Sequence, residues 1–303
     1  MRRLLFCALA CICAADALAQ QVPDRGYLPA IARPQYATGR GPVVCVDEAH
    51  FNFHTLQERF FAFGELLRRD GFEVRASTAK FDARTLAACR VLVISNAQPS
   101  DAEWDQYPYP TPSAFTDAEI AAVRAWVSRG GSLLLIADHM PLAGAAAGLA
   151  AAFEVEFSDG FARRDGASRE FDLFTRAAGT LRDHAIVRGR EGEAVTSIRT
   201  FTGQAFRAPK AEALLVFPAG YTQLLPEKAW QFSDRTPRVP AEGRLQGAVQ
   251  TADRGRAAFF GEAAMFSAQL AGPDKQPMGM NSPGAGQNFQ FTLNLLHWLT
   301  GTL

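Results

Sequence analysis

The sequence predicts an α/β protein built on a mainly parallel sheet with helices on both faces. Three observations carry this. The runs "VVCV", "RVLVIS" and "SLLLIADH" are continuously apolar, as strands covered on both faces are, rather than alternating. Amphipathic segments with their own start and stop signals separate these runs, which is the βα pattern of parallel sheets. With 48% hydrophobic and 20% charged residues, the 303-residue chain can bury one large core.

The N-terminus reads as a secretory signal. Arg2 and Arg3 precede the apolar "LLFCALACICAA", and Ala17-Leu18-Ala19 is a small-x-small cleavage site before Gln20. A signal over residues 1–19 would make the protein periplasmic or secreted. The apolar run is too short to span a bilayer, and Ala8 ahead of Cys11 fits a lipidation box poorly. Residues 20–40 carry Pro and Gly without a period and read as an irregular lead-in to a single α/β domain over residues 41–303.

In that domain "PVVCVDEA" is the first strand. Leu56, Phe60, Phe63 and Leu67 then fall at helical spacing, with Thr55 and Glu58 as a capping box and Gly71 beyond the end. "FEVRAS" and "RVLVIS" are further strands. The Pro-rich "WDQYPYPTPSAF" is a loop placed to lie over a strand end. Thr116 and Glu119 cap the clearest helix, with Ile120, Val123 and Val127 as its apolar stripe and Gly130 or Gly131 as its stop; "SLLLIADH" follows as a buried strand. The second half adds strands: "FEVEF", "SIRTFTGQAF", "ALLVFP", and a pair within "LQGAVQTADRGRAAFFGEAA" that turns at Asp253–Gly255. The last helix, "QNFQFTLNLLHWLTG", sends Phe289, Leu293 and Leu296 inward. No internal repeat occurs.

Composition also excludes classes. Formal net charge is zero and no Lys/Arg run exists, which argues against nucleic acid. No later segment reaches eighteen consecutive apolar residues, which argues against a membrane span. Three of the five cysteines would leave with the signal. Cys45 and Cys89 remain, and their strand settings favour two buried small hydrophobes over the alternative, a disulfide. No zinc-finger spacing exists.

In parallel sheets ligands bind beyond the carboxyl ends of the strands, and right-handed crossovers bring those ends to one edge. Three ends are polar here: Asp47, Glu48, His50, Asn52 and His54 after the first strand; Ser95, Asn96 and Gln98 after the third; Asp138 and His139 after the fourth. If residues 48–54 stay extended, Glu48, His50, Asn52 and His54 face the crevice and Phe51 and Phe53 anchor the loop. Asp47, Glu48, His50 and His139 are the catalytic candidates, as a His with a carboxylate activates water. His50, His54 and His139 are candidate ligands for a divalent metal. Asn52, Asn96, Asp138, Glu262, Asn281 and Asn288 are candidate ligand-binding residues, the last two in "QPMGMNSPGAGQN", a mobile polar loop before a helix N-terminus. The plain alternatives are that Asp47 or Glu48 only bonds loop amides, that His50 and His54 are satisfied loop histidines, that His297 faces the core, and that His184 is structural.

"VVCVDEAHFNFHT", "LLLIADHMPLAGAA" and "QPMGMNSPGAGQNFQFTLNLLHWL" resemble an uncharacterised group of exported bacterial proteins with a class I glutamine amidotransferase-like, flavodoxin-like fold. The resemblance runs from about Gly41 to Leu299. It implies that fold and brings no established reaction. The nucleophilic Cys of true amidotransferases is missing: the corresponding elbow, Ile136 to Met140, reads "IADHM", and Cys45 lies inside a strand. Cys-dependent glutamine hydrolysis is therefore not expected. The expected functions are a hydrolase using an activated, metal-bound or free water, a binding module for a carbohydrate or other polar small molecule, or an assembly domain. The oligomeric state is left open.

Overall fold

Strand β1 (Val43–Asp47) is the second from one edge of a seven-stranded sheet. Its partners are β2 (Glu73–Ser77), β3 (Val91–Ser95), β4 (Ser132–Ile136), β5 (Glu212–Val216), β6 (Leu245–Ala252) and β7 (Gly255–Phe260), in the order β2-β1-β3-β4-β7-β6-β5. These coordinates are a computed structural model describing residues 21–166 and 171–303. The expected signal at residues 1–19 lies outside them. The pairs β1–β2, β1–β3, β3–β4 and β4–β7 are parallel, and β6 runs antiparallel to both its neighbours. The sheet is thus mostly parallel, with one reversed strand from the hairpin that turns at Asp253–Arg254. The order 2-1-3-4 is that of flavodoxin-like sheets.

Alternate residues of the central strands face opposite layers, as the period of two requires. Val44, Val46, Val91, Val93, Leu134 and Ile136 pack with α1 (Phe61–Arg69) and the C-terminal helix Asn288–Thr300. Cys45, Leu92, Ile94, Leu133 and Leu135 pack on the other side with α2 (Ala83–Ala87), α3 (Asp117–Ser128) and α4 (Leu142–Ala151). Every residue of β3 and β4 is buried, which is why these strands read as unbroken apolar runs.

The Thr116–Glu119 capping box forms as expected. The one at Thr55–Glu58 does not. Residues 56–60 make turns in which Glu58 N and Phe60 N both donate to the Thr55 carbonyl, and α1 starts at Phe61 without a side-chain cap. Leu56 and Phe60 are buried all the same, because both pack in the core cluster that holds Val44, Val46 and Phe63. A periodic apolar pattern was thus produced by a turn plus a shorter helix. "FEVEF" contributes only an isolated bridge, Glu156 to Arg207.

The lead-in is less irregular than expected. Gln21–Pro23 pairs with Ala268–Ala271, which pairs with Gln276–Gly279, and Tyr27, Ile31 and Tyr36 pack on the core. The polar loop before the last helix is also pinned. Asn281 Nδ2 donates to Asp24 and to the Gln269 carbonyl, Gln287 Oε1 accepts from the amides of Thr196 and Ser197, and Asn288 bonds both backbone groups of Arg199. Two further small antiparallel sheets, Phe161–Arg164 with Tyr221–Leu224 and Arg238–Pro240, and Asp172–Thr175 with Ser197–Thr200, complete the second half.

Cys45 and Cys89 form a disulfide, which corrects the expectation of two free, buried thiols. Both are read from strand context alone, and whether the segment before β3 brings Cys89 against β1 is a tertiary fact. The bond closes a loop with a sequence separation of 44 residues, so it restricts the unfolded chain. Reduction, or Cys89→Ser, is expected to lower unfolding stability by about 2–4 kcal/mol. Urea melts with and without reductant measure this, and coincident curves would show that the bond does not contribute.

Candidate functional site

The crevice between β1 and β3, where the direction of strand order reverses, is the usual ligand position in such sheets. Here the chain fills it with its own loop. Phe53 N donates to the Asn96 carbonyl and Gln98 N to the His50 carbonyl, tying residues 50–53 to the segment after β3. Asn52 Nδ2 donates to Asp47 and to the Ser95 carbonyl. Glu48 accepts the Leu56 amide. These are the loop-amide roles weighed as the plain alternative for the acids.

His50 corrects the expectation most directly. It is fully buried, and its two ring nitrogens lie 2.9 Å from Asp47 and 2.9 Å from Glu119. Each ring nitrogen thus faces a carboxyl group, one on either side of the imidazole. The ring packs against Phe81 and Phe115, beneath the first turn of α3. Phe51 is turned out, half exposed, with φ of 46°. The segment is not extended, so the simple alternation of facing side chains fails. His50, His54 and His139 do not share a metal position, and among the described residues no group of three or more His, Cys, Asp or Glu side chains is disposed to hold a metal ion.

The open cleft lies one strand further along, at the ends of β3, β4 and β7. It has a volume of about 140 Å³ and brings together His54, Asn96, Asp138, His139 and Glu262. Asn96 takes a left-handed backbone conformation, φ 49°, which Asn tolerates better than most residues. Its Oδ1 then accepts the Asp138 amide at 2.9 Å and ties the β3 and β4 ends together. Asp138 Oδ1 accepts the His139 amide. Asp47, Glu48, His50, Asn52, Asn281 and Asn288 do not line the cleft.

His139 Nδ1 lies 2.7 Å from the Met140 carbonyl. A carbonyl cannot donate, so Nδ1 carries the proton and Nε2 has the free lone pair in the neutral ring. Nε2 has no hydrogen-bond partner among the described residues. Phe161 stacks on the ring at 4.6 Å, and Trp104 and Trp230 meet it edge-on. Glu262 follows β7. Its carboxyl oxygens accept the amides of Ala264 and Met265, yet burial, followed by the charge of Asp138, pushes its pKa well above the ordinary carboxylic range. His54 is held neutral: burial first, then Arg59, lowers its pKa to about 3. It contacts Ser95 Oγ at 3.0 Å.

Sequence reasoning missed the aromatic walls. Phe53, Trp104, Phe201 and Trp230 line the cleft with Gln269 and Met278. Trp104 comes from the Pro-rich loop, and its Nε1 donates to Gln98 at 2.7 Å; that loop had been placed over a strand end. Trp230 arrives from the connection between two strands of a small sheet, with no local signal in "KAWQF".

No family model and no curated protein matches the sequence. Solved structures do match. The mmIFT52 N-terminal domain overlays with a TM-score of 0.58 at 13% identity, covering 85% of this chain and 97% of that one. A ThuA-like protein from Bacteroides uniformis overlays at 0.47 and 14% identity, covering 90% and 95%. The first likeness shows a shared fold. At such identity it carries no chemistry.

Proposed function

We infer that the chain is an exported hydrolase of class I glutamine amidotransferase-like fold, acting on a small polar molecule in the Asp138–His139–Glu262 cleft. The observation that supports this best is the pairing of a histidine of fixed tautomer, its Nε2 unoccupied, with a carboxyl group that retains its proton. The first is suited to a general base, the second to a general acid. In this scheme His139 Nε2 takes a proton from water and the resulting hydroxide attacks the electrophilic carbon. The bond to the leaving group breaks as Glu262 protonates that group. Asn96 holds Asp138 in place, and burial, with the charge of Asp138 behind it, keeps the proton on Glu262. The Cys45–Cys89 disulfide supports an oxidising compartment. The absence of a nucleophilic Cys at Ile136–Met140 supports water rather than thiolate chemistry.

A second reading, a binding module for a carbohydrate or similar ligand, draws on Trp230, which is 47% exposed and offers a stacking face at the rim. A panel of nitrophenyl esters, amides and glycosides tests the choice. Hydrolysis by the wild type that falls at least about tenfold in Glu262→Gln supports an acid–base site. Binding without turnover of any bond type would move the assignment to a binding module.

A further inference from the structure

The charge of the cleft narrows its ligand class. Two carboxyl groups, Asp138 and Glu262, line it, and no Lys or Arg does. Glu262 accepts the amides of Ala264 and Met265, and burial first, then the charges of Asp138 and Asp172, push its pKa up. Two guanidiniums lie over wall rings without lining the cleft: Arg59 at 3.8 Å from the Phe53 centroid and Arg163 at 6.0 Å from that of Trp230. Arg59 also donates to the Phe53 carbonyl. An anion entering here would meet the Asp138 carboxylate, and no Lys or Arg side chain lines the cleft to receive it.

A second, independent observation points to the missing partner. Gln269 lines the same cleft at 1% exposure. Its Nε2 donates to Ser267 Oγ at 2.7 Å, and its Oε1 has no hydrogen-bond partner. A buried amide oxygen left unmatched costs stability unless a donor reaches it. His139 Nε2 is likewise a free acceptor in the neutral ring. The cleft therefore offers acceptors to a donor-rich ligand; of its aromatic walls, Phe53 and Trp230 already carry Arg59 and Arg163, while Trp104 and Phe201 add rings of the kind that favours a cation.

We propose that the cleft binds a small protonated amine, a primary alkylammonium whose three N–H groups are taken by Asp138, Gln269 and His139 while its carbon skeleton lies against Trp104 and Trp230. A quaternary ammonium would leave the acceptors unmatched. The size agrees: an apolar cavity of about 150 Å³ holds a benzene-sized group, and this cleft is about 140 Å³. The proposal rests on reading the cleft as a ligand site, not on turnover there.

The test is a charge series of one shape, cyclohexylammonium, cyclohexanol and cyclohexanecarboxylate, with glucose as a neutral polyol. Binding to the full chain is followed by tryptophan fluorescence and calorimetry near neutral pH. Cyclohexylammonium is expected to bind at least about tenfold more tightly than cyclohexanol, with no binding of the carboxylate. Asp138→Asn and Gln269→Leu should each remove most of that preference, and Trp230→Ala, at an exposed rim position, weakens the cation without unfolding the chain. Equal affinity for amine and alcohol, or binding of glucose or of the carboxylate in preference, would overturn the proposal on the wild type alone. Amine binding with no hydrolysis of any substrate would sink only the hydrolase reading.

Discussion

His50→Ala is expected to destabilise the protein by about 3–5 kcal/mol, the range for breaking a buried ionic network on one side. His50 bridges two buried carboxylates, Asp47 at the end of β1 and Glu119 in the first turn of α3. Without the imidazole these acids face each other across a cavity walled by Phe81 and Phe115, and each loses the group that lay between them. Glu119 also accepts from Thr116 and from the Phe81 amide, so the damage spreads to the capping box of α3. Urea unfolding measures it; a loss under about 1 kcal/mol, the level of an exposed pair, would show that the network is not the buried clip described. Acid should act on the same point. Burial alone would raise the Glu119 pKa, but the hydrogen bonds from Thr116, His50 and Phe81 outweigh it and hold it at about 2, against an ordinary 4.5. A carboxyl lowered on folding contributes stability that is whole above about pH 5 and is lost as pH falls toward 2. Glu119→Gln should therefore be less stable at neutral pH and lose less on acidification.

His139→Gln is expected to reduce turnover of any substrate found by about 10²–10⁴-fold, the usual worth of a positioned general base. Gln retains much of the volume against Phe161, Trp104 and Trp230, so the fold should survive. It offers no lone pair of comparable basicity at the Nε2 position. Thermal melts accompany the rate measurements. A folded variant with wild-type kcat would remove His139 from the chemistry, whereas a fall in kcat with KM little changed would place its contribution in the transition state. His50→Ala, by contrast, should lose activity only in step with its folded fraction.

Much of the architecture was legible in the chain. Burial on both faces leaves β3 and β4 apolar except for Ser95 and Ser132 at their ends, so their apolar runs mark them directly. Thr116 and Glu119 form a self-contained cap because both partners lie within one turn. The fourth strand ends where "ADH" begins, since polar groups at the end of an unbroken apolar run mark a strand terminus even though Asp138 and His139 stay buried. The helix expected at Thr55 was misplaced, because the apolar spacing of a turn and of a helix coincide over so few residues. The site was legible only in part. Asn96, Asp138, His139, Glu262 and His54 do share one cleft, but His50 belongs to another neighbourhood.

The sequence by itself determined the alternation of strands and helices, the strand ends that carry polar groups, and the lack of an amidotransferase cysteine, because local burial and turn chemistry are written within a few residues. Only the tertiary structure decided which polar groups meet. The loop at residues 48–54 closes the crevice between β1 and β3 through bonds to the segment after β3. His50 finds Glu119 across 69 positions, Cys45 finds Cys89, and Trp230 reaches His139 from a distant strand connection. Contacts of that kind depend on strand order and loop path, and no local pattern encodes either one.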